Sequence, residues 1–272
     1  MALDLVLLAG GLILLWLCGE PLVRARLRRY VRGRPLPEGW RTLLRRQPLY
    51  RRLPPRLQAE LRGHLAVFLA EKKFVGCAGL EITDLMRVTI ATQACLLLLG
   101  RGEAGFPELR EILVYPEAFV VDRLQVDPLG LHTDLSRVLA GESSSRGQVV
   151  LSWDDARIGA ADADDGRNVV IHEFAHQLDQ EFGHANGAPL LARREEYARW
   201  SQVMADAYAR LRVQLAHGVP GALDPYAATD PAEFFAVACE VFFEQPARLK
   251  QQEPALYAQL QTYFTVDPAS WS

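Results

Sequence analysis

Val169-Val-Ile-His-Glu-Phe-Ala-His-Gln-Leu-Asp179 decides the reading of this chain. Within it His172, Glu173 and His176 form H-E-x-x-H. An α-helix turns once every 3.6 residues, so the imidazoles at i and i+4 stack on one face and can share a metal ion. Glu173, one residue on from the first histidine, projects beside the metal rather than onto it, as a general base must. Asp179 follows His176 by three residues on the same face, where the spacing lets it accept the other ring N–H of a ligating histidine. The ion that suits two imidazoles with one open position is zinc, one per chain, and its chemistry is the supply of hydroxide near neutral pH.

A catalytic zinc takes a third protein ligand. His64, His132, His184 and His217 stand in surroundings that offer nothing to a metal. Carboxylates are better placed, because Asp230-Pro231 signals the start of a helix that carries Glu233, Glu240 and Glu244. Glu233 and Glu240 are seven residues apart and share a face, so spacing alone leaves the choice between them open.

Outward from the motif, the chain reads as α+β, mainly helical with a small sheet. An apolar stripe at Leu57, Leu61, Leu65, Phe68 and Leu69 predicts one helix, and Asp84 to Leu99 a second. Three β-rich runs follow: EILVYP from Glu111, AFVVD from Ala118 and QVVLSW from Gln148 to Trp153. The last precedes the metal motif and is expected to be the edge strand on which an extended peptide pairs. Helical periodicity then runs to the C-terminus, broken at Gly183 to Pro189, Gly218 to Pro225 and Pro246.

The 272 residues carry a net charge of −3 that averages unlike pieces. Residues 21–56 hold twelve Arg and one acid, Glu38, a local charge of +11, while residues 57–272 carry −12. Ahead of this collar, Leu5 to Cys18 is an uncharged apolar run of 14 residues. As a helix it reaches only about 21 Å, and the count must stretch over residues 3–23 to cross a hydrocarbon core of roughly 30 Å. With the arginines on its inner side, the run predicts a single N-terminal anchor in the inner membrane, touching lipid through residues 3–23 and the Arg collar, with the catalytic domain in the cytoplasm. A cytoplasmic protein whose apolar run is a core helix is the alternative. The division expected is an anchoring segment over 1–23, an Arg- and Pro-rich linker over 24–56 and a metallopeptidase domain over 57–272. Few aromatics, Tyr30 and Trp40 among them, interleave the collar and the body is acidic, so direct nucleic-acid binding is not expected. Cys18, Cys77, Cys95 and Cys239 are scattered among apolar residues, which suits core thiols in a reducing compartment rather than a zinc ribbon.

The strings HEFAHQLD and DPYAATDPAEFFAVACEVFFEQP (Asp224 to Pro246), with ILVYPEAFVVD and VVLSW before them, resemble the Mlc titration factor A family of zinc metallopeptidases. The resemblance spans Leu57 to Pro268. It implies a zincin-like peptidase domain with His172, His176 and Glu233 as zinc ligands and Glu173 as general base. It further implies that Tyr226 donates its O–H to the oxyanion and that Glu240 stands behind the ligands or in helix packing. Peptidase activity of the aminopeptidase kind is implied, as is binding to a transcriptional repressor of sugar uptake. The apolar run and the arginine collar depart from the family's pattern.

Overall fold

The computed structural model describes residue 19 and residues 22–102, 105–126, 132–139, 141–144, 147–181 and 183–271, the stretch 119–144 by its backbone alone. It shows the expected α+β chain, mostly helical with a small sheet. A helix over residues 22–32 (α1) leads into α2 (Glu38–Arg45), α3 (Pro48–Arg52), α4 (Pro55–Glu71), β1 (Lys73–Gly76) and α5 (Asp84–Leu96). The strands β2 (Glu111–Tyr115), β3 (Phe119–Val126), β4 (His132–Leu139), β5 (Gly141–Ser144) and β6 (Gln148–Ser152) follow. Helices complete the chain: α6 (Trp153–Ala161), α7 (Val169–Asp179), α8 (Glu196–Ala216), α9 (Pro231–Glu244), α10 (Pro246–Gln252) and α11 (Pro254–Phe264).

The sheet runs β1-β2-β6-β5, the first three strands parallel and β5 antiparallel to β6, with β3 and β4 a separate antiparallel pair. Ile112, Val114, Val149 and Leu151 alternate into the core with the period of two that a strand dictates. β6 has a partner on both sides, so the expectation that it forms the edge is corrected: the edge beside it is β5.

Side-chain caps fix where the two site helices begin. Asn168 accepts from the Ile171 N–H at 3.0 Å to start α7, and Asp230 accepts from the Ala232 and Glu233 N–H groups, with Pro231 at the first helical position of α9. Each cap supplies an acceptor to amides that have no intrahelical partner.

The N-terminal third differs from its sequence reading. Residues 24–56 are expected to be a linker, yet Leu36, Leu44, Leu49, Tyr50 and Leu53 are buried in the same core as the sheet and α5. Arginine and proline dominate the composition there, but a few apolar residues on α2 and α3 suffice to dock the segment. The inner-membrane anchor is also corrected: among the described residues, no helix is long and apolar enough to cross a membrane. The described helix over 22–32 carries five arginines rather than an apolar face throughout. Of these, Arg28 grips Glu71 through two bonds of 2.6 and 2.9 Å, and Arg32 approaches His64 at 3.4 Å, so part of the collar is engaged by the protein instead of lipid. The apolar run Leu5 to Cys18 lies outside the described residues.

Candidate metal centre

α7 has two faces. Val170, Ile171, Phe174, Ala175 and Leu178 are buried in the core, and Phe174 meets Phe106 and Phe68 at ring-centroid distances of 4.8 and 5.7 Å. This clamp fixes the roll of the helix and turns His172 and His176 toward α9. There His172 Nε2 lies 2.9 Å from Glu233 Oε2, His176 Nε2 lies 3.6 Å from the same oxygen, and the two Nε2 atoms are 3.2 Å apart. One ligand atom from each of the three side chains falls within 4.8 Å of the others. Two donors of a tetrahedral zinc, each about 2.0–2.1 Å from the ion, stand roughly 3.3 Å apart, so these spacings fit such a cation.

The polarity agrees with the spacing. His172 Nδ1 lies 2.8 Å from Glu240 Oε1. A carboxylate can only accept, so Nδ1 carries the proton, and whenever the ring is neutral its Nε2 lone pair faces Glu233, itself an acceptor. Two acceptors face to face require a cation or a proton between them. Glu240 and Glu233 thus address opposite nitrogens of one ring from a single helix, two turns apart. Burial opposes charge on His172, but the carboxylates of Glu233 and Glu240 outweigh it and raise its pKa well above the usual value. Burial likewise opposes ionisation of Glu233, yet hydrogen bonds from His172 and His176 hold its carboxyl far below the ordinary range.

Glu173 is buried, and desolvation lifts its pKa from 4.5 to about 7, against the pull of His172 and His176. Tyr226 belongs to a 3-10 turn, Pro225–Ala228, whose capping residue Asp224 accepts from the Tyr226 N–H at 2.9 Å. Tyr226 is 37% exposed, and its ring is tilted 40° to the His172 ring with centroids 6.0 Å apart, which places it beside the cluster.

Asp179 is not where the spacing put it. Its carboxylate accepts from the N–H groups of Asn186, Gly187 and Ala188 at 2.7, 2.7 and 2.9 Å, and so secures the loop after α7 rather than a histidine ring. Gly187, at φ +78°, presses that loop against the backbone of Pro231 at the start of the helix carrying Glu233. His176 Nδ1 is buried with no hydrogen-bond partner among the described residues. Asn168, directly before the motif helix, is not among the residues singled out from the sequence. In the structure its backbone N–H donates to Glu240 Oε2 at 2.5 Å and its side-chain amide to Glu244 Oε1 at 2.8 Å. The signal that could have drawn attention to it is an Asn directly before an apolar-periodic helix.

The family of glucose-regulated metallo-peptidase M90 matches residues 22–265. A Synechocystis sp. protein described only as uncharacterized is 39% identical over 269 residues, 98% of this chain and 97% of its own length. Mlc titration factor A of Klebsiella pneumoniae is 37% identical over 224 residues, 81% of this chain and 83% of the relative, and that of Pectobacterium atrosepticum 36% over 206 residues, 74% and 76%. A match that begins at α1 and ends in the last turns of the chain takes in both site helices and every element that positions them, and on it the chain belongs to the glucose-regulated metallo-peptidase M90 family.

Proposed function

We propose that the chain is a zinc-dependent peptidase with a zincin-like catalytic domain, its ion held by His172, His176 and Glu233. The observation that carries this reading is the convergence of two imidazole Nε2 atoms and a carboxylate oxygen beside a buried Glu173 that takes no part in the cluster. Zinc bound there would supply Lewis acidity to water and to a substrate carbonyl. Glu173 takes a proton from the attacking water and returns it to the leaving nitrogen. The Tyr226 hydroxyl donates to the oxyanion that develops as the carbonyl becomes tetrahedral. Glu240 holds the Nδ1–H of His172 and so keeps its other nitrogen free as a lone-pair donor.

An extended peptide has a place to lie. β5 is, among the described residues, one of the two edge strands of the four-stranded sheet, and the one that packs against α7, so its outer side runs past the helix that carries the histidines. The family resemblance narrows the activity to the aminopeptidase kind on small substrates.

A second reading rests on the name of the relatives, Mlc titration factor A, which says that those proteins titrate Mlc. Carried to this chain, it makes the protein partner a transcriptional repressor and the zinc structural. The buried Glu173, which a structural site has no use for, favours the enzyme. Glu173→Gln separates the two: peptide hydrolysis falls by at least about 10²-fold while zinc stays bound. Unchanged turnover in that variant overturns the catalytic reading.

A further inference from the structure

Behind the ligands a buried chain of hydrogen bonds runs from α7 to the far end of α9. His172 Nδ1 donates to Glu240 Oε1 at 2.8 Å, and the second oxygen of Glu240 accepts from the backbone N–H of Asn168 at 2.5 Å. The side chain of Asn168 has three tasks. Its oxygen caps α7 at Ile171 N, and its amide donates to Glu244 Oε1 at 2.8 Å and to the carbonyl of Gly159 at 3.3 Å. Asn168 is 1% exposed and Glu244 is 1% exposed, so water offers neither a substitute. Every polar atom of the Asn168 side chain is therefore spent on fixing where its own backbone N–H points.

We infer that Asn168 is a positioning residue for the metal centre: anchored on Glu244 and Gly159, it pins Glu240 so that Glu240 in turn sets the tautomer and ring orientation of His172. The inference rests on the metal-centre reading of His172, His176 and Glu233. Geometry supports it beyond the cap alone. Asn168 stands at the N-terminus of α7, while Glu240 and Glu244 are successive turns of α9, so one residue ties both site helices together. A carboxylate with one oxygen on the ring and the other on a fixed amide cannot swing away, whereas one held by the ring alone can. Partners of this outer kind change metal affinity about 10–100-fold when they are removed. Asn168 acts one bond further out, so the lower end of that range is expected.

The test uses the full chain and zinc or cobalt as the probe. Asn168→Ser keeps a capping oxygen but cannot reach Glu244 or Gly159. The zinc dissociation constant, read by competition with a chromophoric chelator, should rise about tenfold, and the visible spectrum of the cobalt(II)-loaded protein should shift as the His172 ring changes its approach. A merely structural cap would lower the melting temperature and leave both readouts alone. Glu244→Ala removes the anchor while leaving the cap intact, and should move both in the same direction; it carries the test if Asn168→Ser does not fold. Wild-type protein that binds no zinc defeats the metal-centre reading itself. Wild-type protein that binds zinc, with a folded variant matching it in dissociation constant and cobalt spectrum, defeats the role of Asn168 and leaves that reading standing.

Discussion

Glu244 offers a stability test with a defined sign. It is 1% exposed; one oxygen accepts from Asn168 and the other has no hydrogen-bond partner among the described residues. Burial pushes its pKa from 4.5 up to about 8, and the negative charges of Asp165 and Glu240 add to the effect against the bond from Asn168. The fold therefore tolerates the neutral carboxyl and disfavours the ionised one. Between pH 4.5 and about 8 the folded chain holds a proton that the unfolded chain has released, so this group's contribution is intact below pH 4.5 and is lost as pH rises to about 8. Glu244→Gln copies the neutral form and keeps an acceptor for Asn168. Its advantage over wild type should be under about 1 kcal/mol at pH 4.5–5 and grow by about 1.4 kcal/mol per pH unit through the middle of the window, reaching about 3 kcal/mol at pH 7 and about 4 kcal/mol at pH 8, where the slope flattens. Urea unfolding of both proteins at pH 5, 6, 7 and 8 measures the difference directly, with equal m-values as the check that the denatured states match. A difference that stays flat with pH, or a variant less stable than wild type at pH 8, would refute the reasoning.

Two further changes probe the clamp and the chemistry. Phe174→Ala empties a fully buried site between Phe68 and Phe106 and should cost about 3–5 kcal/mol in urea unfolding; a loss under about 1 kcal/mol would mean that this aromatic cluster does not fix the motif helix. Tyr226→Phe keeps the ring beside His172 but removes the donor, so kcat/KM should fall about 10²-fold with metal content unchanged, and full activity in that variant would remove Tyr226 from the reaction.

The part of the site that lies within one helix was legible in the sequence, because the i, i+4 relation of His172 and His176 follows from helix geometry alone. The partner helix was legible as a helix with the right acids on one face, but Glu233 and Glu240 could not be separated. Both touch His172, on opposite ring nitrogens, and only the crossing of α9 over α7 decides which faces His176 as well. Asp179 shows the limit of the same logic: it lies near the right face, yet the amides of a loop seven to nine residues later take its carboxylate. Non-local pairing also hid the sheet edge, since Gly141-Glu-Ser-Ser144 has no apolar alternation to mark it as the strand outside β6. The docking of α2 and α3 escaped composition for a related reason. Twelve arginines and six prolines within residues 21–56 outweigh Leu44, Leu49 and Tyr50 in any average, while the energy of burial lies with those few side chains.

Metal content tests the central claim most directly. Purified full-length chain, reconstituted with zinc and freed of excess, should hold about one zinc per chain by elemental analysis; His172→Ala and Glu233→Ala should lose it, while Glu240→Gln should keep it with weaker affinity. Absence of zinc from the reconstituted wild type, or an undiminished content in His172→Ala, would contradict a centre built from His172, His176 and Glu233.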